Sequence, residues 1–350
     1  MTTMKRSWIA DACLLFVAFI WGSTFIIVQH AIHTLPPLAF NAVRFLGAAL
    51  LFVIVLLIAG RRAQRSLPSE QPSGLPSRLP SEPPSGLHSG RPNELPSGLH
   101  SGTSHAGNGL SKLRNRPLVK HGVILGVWLF GAYAFQTIGL LHTTTTNTGF
   151  ITGLSVVLVP FITVWLSRQR LPLMTWAAAT FALIGLYLLT FNGGAMDWNR
   201  GDLFVLLCAF CFAFHIALTG KYAPLYDTVA LVTVQLATVG VLAALSSLLF
   251  EPLMTLTELW QALSHPPVWI ALTVSIGLST AFAFWAQTWC QRYTSASRVA
   301  VIYATEPVFA AITGVTFAGE LLGTWAIAGC VLIFAAMILA ELKWGKHEVQ

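Results

Sequence analysis

Glu306 is the residue of this chain best placed to do chemistry. It stands beside Pro307 in the middle of an apolar run, ATEPVFAAITGV. A charged side chain at the centre of a bilayer costs about 2.5–3.5 kcal/mol on insertion scales, so a carboxyl there needs a reason. Pro307 has no N–H to offer the carbonyl of Tyr303, four residues back, which asks for a polar cavity at that depth. A carboxyl that is expensive to keep charged is suited to loading and releasing a proton, as proton-coupled exchange requires. The plain alternative is a structural carboxyl held by hydrogen bonds. Arg44, in FNAVRFLGAAL, is the candidate partner. It lies roughly 9–10 Å into its apolar run and Glu306 about 15 Å into its own, so that two long side chains would meet. A guanidinium binds carboxylates bidentately, which suits a gate or a substrate anchor. Against this stand a packing salt bridge and snorkelling to the headgroups.

Other polar and aromatic residues lie deep in apolar runs. Gln136 and Gln287 would line the two ends of a central cavity, or bond helix to helix. His215 would relay protons, or make an interhelical hydrogen bond. Trp21, Trp285 and Tyr303 would wall a cavity for an amphipathic organic molecule, with a few polar groups orienting it; ordinary core or lipid-facing packing is the alternative. Asn147, in the polar stretch Thr143–Thr148, would line a cavity mouth or cap a helix.

The elements that must hold these residues follow from composition. The 350 residues are 55% hydrophobic and only 9% charged, against about 25% charge in a soluble domain. Such a chain cannot coat itself with polar groups in water, which excludes a soluble enzyme, a disordered chain and a disulfide scaffold. Of the net charge of +7, residues 61–118 contribute +5, from eight Lys/Arg and three Glu. The basicity is therefore local and does not describe a nucleic-acid footprint. Cys13, Cys208, Cys211, Cys290 and Cys330 all sit in apolar runs and read as small buried hydrophobes.

A helix needs about 20 apolar residues to cross a bilayer. Ten runs qualify: 8–29, 38–59, 119–141, 147–167, 173–191, 203–222, 228–250, 268–290, 296–317 and 322–342. With the N-terminus in the cytoplasm, 18 Lys/Arg fall inside, Arg200 alone falls outside, and Arg44 lies within a span. That split follows the positive-inside rule and places both termini in the cytoplasm. Residues 61–118 are Pro/Ser/Gly-rich and repeat PSGLHSG, so a disordered, basic cytoplasmic loop is expected there.

The chain also resembles itself at half length. Asp11 aligns with Asp202 at an offset of 191, Gln136-Thr137 with Gln287-Thr288 at 151, Ile162-Thr163 with Ile312-Thr313 at 150, and Thr175-Trp176-Ala177 with Thr324-Trp325-Ala326 at 149. Five spans per half force the second half to enter the bilayer upside down. Inverted halves are able to exchange conformations around a shared midplane site. The expected fold is therefore an all-α membrane protein of ten transmembrane helices in two inverted five-helix repeats. Residues 1–60 hold the first two helices, 61–118 the loop, 119–192 the remaining three helices of the first repeat, and 201–345 the second repeat.

Four stretches, FIWGSTFIIVQHAI (19–32), FNAVRFLGAALLF (40–52), TNTGFITGLSVVLVPFITVW (146–165) and ATEPVFAAITGVTFAGELL (304–322), resemble the drug/metabolite transporter superfamily, in particular its ten-helix EamA-type members. The resemblance spans all ten runs; the insertion 61–118 departs from it. It implies a secondary transporter or exporter of small metabolites, amino-acid-like or drug-like, in the plasma membrane (a bacterial inner membrane by resemblance). It also implies a cavity ringed by helices 1–4 and 6–9.

The expectation is alternating access around Trp21, Arg44, Gln136, Asn147, His215, Trp285, Gln287, Tyr303 and Glu306, with Glu306 as the proton-coupling group. The partners expected are a small-molecule substrate, the lipid bilayer and protons, with no nucleic acid, no cofactor and no metal, in a monomer or homodimer. No GxxxxGK, HExxH or GxSxG motif occurs. The rivals are an intramembrane lipid-modifying enzyme, which needs clustered His/Asp/Glu near one face, and a non-transporting scaffold or sensor using the basic loop.

Overall fold

A computed structural model describes residues 3–32, 34–65, 109–143, 145–168, 170–191, 199–252, 254–318 and 321–342. Among these residues all regular structure is helical. The α-helices are α1 (Thr3–Ile32), α2 (Pro37–Arg65), α3 (Arg116–Leu140), α4 (Thr145–Gly153), α5 (Ser155–Ser167), α6 (Leu173–Phe191), α7 (Arg200–Tyr222), α8 (Thr228–Phe250), α9 (Leu256–Ser264), α10 (Pro266–Val274), α11 (Ala283–Cys290), α12 (Ala296–Tyr303), α13 (Glu306–Ala318) and α14 (Thr324–Leu342). A π-helical stretch, Ser275–Phe282, joins α10 to α11.

This is an all-α membrane protein. Eight helical stretches are long and apolar enough to cross a bilayer, and two shorter apolar ones, Trp8–Thr24 and Thr324–Ala340, accompany them. Four of the eight are composite, Arg200–Leu225 being α7 with a 3₁₀ turn, Ala223–Leu225, at its end. The stretch Asn147–Ser167 is α4 and α5 broken at Leu154, Pro266–Cys290 contains the π turn, and Ala296–Thr316 is α12 and α13 broken at Ala304-Thr305. The second break lies where Pro307 withdraws its N–H. The first does not coincide with Pro160, which lies inside α5. The helices before the two breaks end at Gly153 and Tyr303.

Helix ends follow local chemistry. Asn199 and Asp202 form a reciprocal capping box at the start of α7, and Thr255 and Glu258 form another on α9. Asp227 caps α8, accepting from Ala230 N at 3.0 Å. Helix α5 ends on Arg168 in the left-handed region (φ 55°). The described ends of the stretch 61–118 are helical. Helix α2 runs on to Arg65, and Gly109–Arg114 form a 3₁₀ turn with Lys112 bonded to Asp227 at 2.8 Å. A charge pair and the Asn115 cap of α3 hold that turn, features that composition alone does not register. Residues 66–108 lie outside the described residues.

The helices pack in pairs. Helix α2 lies along α8, α6 along α14, and α3 against both α7 and α8. Helix α1 packs on α13, and α5 on α7 and α12. Small residues allow the closest approaches. A Cβ on Gly185 would come 2.8 Å from the Gly329 carbonyl across the α6–α14 seam, so only hydrogen fits. Cysteines 208, 211 and 290 are buried, and all five are unbridged.

Candidate functional site

A cavity of about 440 Å³ opens among α1, α2, α3, α4, α7, α11, α12 and α13. Its lining runs from Ile216, Gln287 and Tyr303 in the interior to Val28, Phe40, Leu140 and Leu189 at the end of the bundle where α1 finishes and α2 begins. Toward the opposite end, Asp11 of α1 is ion-paired with Arg298 of α12. Leu14, Val17, Val299 and Ile302 pack in one apolar cluster near this pair.

Seven of the nine expected residues line this cavity: Trp21, Arg44, Gln136, His215, Gln287, Tyr303 and Glu306. Trp21 sits ring to ring with Tyr303 at 4.9 Å and donates Nε1–H to the Ser279 carbonyl at 2.9 Å. Glu306 opens α13 at the helix break. The expected meeting of Arg44 with Glu306 does not occur: no ion pair joins them among the described residues. Arg44 instead donates Nε–H to Thr280 Oγ1 at 2.5 Å and Nη2–H to the Ser279 carbonyl at 3.3 Å, with its guanidinium over the Tyr133 ring at 5.1 Å.

His215 and Gln287 have interhelical and local partners as well as cavity exposure. His215 Nε2 is 3.3 Å from Gln235 Oε1 of α8 and 3.5 Å from Thr219 Oγ1. Gln287 donates Nε2–H to Gln291 Oε1 at 3.3 Å, and Gln291 donates to the Ile216 carbonyl at 2.8 Å. Two expected residues lie elsewhere. Asn147 turns to Asp202, which already accepts from Thr143 at 2.5 Å and from the Asn199 backbone at 2.8 Å. Trp285 stacks on Trp289. Phe284 and Gln287 occupy the cavity side of that helix, which leaves Trp285 on another face.

The cavity also contains Asn41 and Tyr133, which drew no functional expectation from sequence, and Thr280 and Ser279 stand directly behind Arg44. Asn41 carried a readable signal: it lies three residues before Arg44, on the same helical face.

The sequence pattern of the EamA-like transporter family matches residues 8–74 and 199–342. This chain belongs to the EamA-like transporter family. The two matched stretches begin 191 residues apart, the spacing that separates Asp11 from Asp202. An uncharacterized transporter of Archaeoglobus fulgidus is 29% identical over 334 residues, covering 95% of this chain and 86% of the relative. A crystal structure of a protein 18% identical superposes with a TM-score of 0.67 over 95% of this chain and 98% of that one, a likeness of fold. With its apolar helices, membership in this family makes the chain an integral membrane protein and a membrane transporter. Its site is then to be sought where helices leave a polar hollow at membrane depth.

Proposed function

We propose that this EamA-family chain is a secondary transporter that exports small organic metabolites by alternating access between two inverted five-helix halves, with protons as the coupling ion. The observation that carries the reading is the cavity. It is walled by helices from both halves, holds a cation (Arg44) and an acid (Glu306) among aromatic rings, and lies on one side of the Asp11–Arg298 pair. A concave hollow that sets polar groups among apolar and aromatic walls is the usual form of a small-molecule site.

Three regularities support two inverted halves. Taking Trp8–Thr24 and Thr324–Ala340 as the first and last of ten spans, the helix pairs survive exchange of halves. The contact of α1 with α13 answers that of α7 with α5, while α2–α8 and α6–α14 each pair a helix with its own counterpart. The helix breaks at Leu154 and Ala304 lie 150 residues apart, the offset that aligns Ile162-Thr163 with Ile312-Thr313. Asp11 with Arg298 answers Asp202 with Asn147, through offsets of 191 and 151 that the sequence alignment already used. The distribution of Lys/Arg supports both termini in the cytoplasm of a plasma membrane, with the cavity facing outward.

The test is a panel of radiolabelled metabolites in proteoliposomes of the full chain, with and without a pH gradient. Accumulation of at least one compound that rises with the gradient is expected. Accumulation that ignores the gradient rejects proton coupling, and no accumulation by correctly inserted protein rejects transport of the panel's substrate classes.

A further inference from the structure

Asn41 and Arg44 are three residues apart on α2, so they project from one helical face, and both reach the cavity. Both are buried, at 3% and 5% exposure. Asn41 Nδ2 has no hydrogen-bond partner among the described residues. Buried donors in folded proteins are nearly always satisfied, so a lone amide N–H beside a hollow points to a ligand's acceptor.

Arg44 is prepared from behind for the same acceptor. Ala283, at the end of the π turn, sends its N–H to the Leu278 and Thr280 carbonyls. The Ser279 carbonyl between them is thereby available to side chains, and it takes both Trp21 Nε1–H and Arg44 Nη2–H. Thr280 Oγ1 takes Arg44 Nε–H. A guanidinium has five N–H donors, so these two contacts fix its plane and leave donors for another group. No acidic side chain pairs with it among the described residues. The π turn thus orders both the cation and the Trp21 wall of the cavity, in keeping with the frequency of π turns at functional sites.

We infer that Asn41 and Arg44 form a receptor for a substrate carboxylate, with Thr280 as a positioning residue that sets the guanidinium plane. The ligand class is an organic monocarboxylic acid whose apolar body lies against Trp21, Tyr133 and Phe284. A carboxylate offers two oxygens with about four lone-pair sites, matching an arginine edge and one amide N–H. This inference rests on the reading of the cavity as the substrate site.

Phenylacetate and phenylacetamide have nearly the same shape and differ by one charge. The full chain in nanodiscs is titrated with each, radiolabelled, by equilibrium binding. The natural chain should bind the acid at least about tenfold more tightly than the amide, the scale of a lost charged hydrogen bond. Asn41→Leu and Thr280→Val should each remove about tenfold of acid affinity and leave the amide within about twofold. Thr280→Ser should restore the acid, which a merely structural defect at that position would not do. Equal loss for both probes, or no rescue by serine, overturns the positioning role. Absence of an acid preference in the natural chain, including binding of neither probe, overturns the receptor. The cavity reading is judged separately through Ala311→Trp, which fills the hollow. If a plugged chain still accumulates the panel substrate, that reading falls; if the plug stops transport while acid and amide remain equal, only the receptor falls.

Discussion

Asp11 on α1 is ion-paired to Arg298 on α12, with side chains 12% and 7% exposed, at the end of the bundle opposite the cavity's lining at Val28 and Leu140. A buried pair is costly to break from one side, because the remaining charge stays unpaired. Asp11→Asn or Arg298→Gln alone is therefore expected to cost about 3–5 kcal/mol, read as loss of thermal stability in detergent. The double variant should cost clearly less than the two singles added together. If the contact is also the latch of the closed end, each single variant should raise maleimide labelling of a cysteine placed at Ile302, which lines a small hollow of about 180 Å³ beside the pair. Strict additivity together with unchanged labelling would refute both.

At Gly22, α1 packs tightly on α13 at the cavity wall. A Cβ there would lie 2.5 Å from the Glu306 carbonyl and 2.8 Å from Ala310 N, both backbone atoms that cannot swing aside. Gly22→Ala should cost about 1–3 kcal/mol by overpacking. Because the displaced turn carries Glu306, the transport KM should change as well. Unfolding curves and transport kinetics check both. An alanine variant as stable as the natural chain would show that the helices are free to separate.

Asp227, between the short turn after α7 and the start of α8, gives a pH dependence outside the spans. Burial pushes its carboxyl up, but the Lys112 ammonium and the first N–H groups of α8 outweigh this and hold it below the usual carboxylate range. A folded value below the unfolded one means that the stabilisation is complete at neutral pH and is lost as pH falls through the folded value. The pair is half-exposed, at 50% and 38%, so solvent screening keeps the ion pair itself to about 0–1 kcal/mol. Lys112→Gln should thus cost under about 1 kcal/mol at pH 7, and the difference should vanish in acid, below the ordinary aspartate value of 3.8. Asp227→Ala should add about 1 kcal/mol for the lost cap. A difference between Lys112→Gln and the natural chain that grows on acidification would reverse the assigned sign.

The helical runs were legible because a bilayer imposes a length of apolar sequence that few other contexts demand. The runs 173–191 and 228–250 coincide with Leu173–Phe191 and Thr228–Phe250. Pro307 stands just after the break before α13, whereas the break at Leu154 has no proline beside it, since Pro160 lies inside α5. The π turn at Ser275–Phe282 was invisible, since no residue type marks a helix that has gained one residue per turn. That blind spot hid Thr280, and with it the true partner of Arg44. Asn147 had the right chemistry for a cavity mouth but was taken by Asp202, a tertiary partner 55 residues away. Tyr133 reads as an ordinary aromatic because its meaning lies in what it faces, whereas Asn41 shares a helical face with Arg44 and was legible from that spacing.

Glu306 lines the cavity at the start of α13, where the chain leaves helical geometry for Ala304-Thr305. Glutamine keeps its length and hydrogen-bonding shape but cannot carry a proton between the two faces. If Glu306 couples transport to protons, Glu306→Gln should abolish accumulation driven by a pH gradient, a loss of about a hundredfold or more, the scale of a general proton-transfer group. Exchange of labelled for unlabelled substrate at equal pH should persist in the same vesicles, because rocking between the halves needs no net proton movement. Loss of both activities would make Glu306 a binding or structural group. Retention of gradient-driven accumulation would remove it from the proton path, leaving His215, an imidazole that lines the cavity and meets Gln235 of α8, as the next residue to replace.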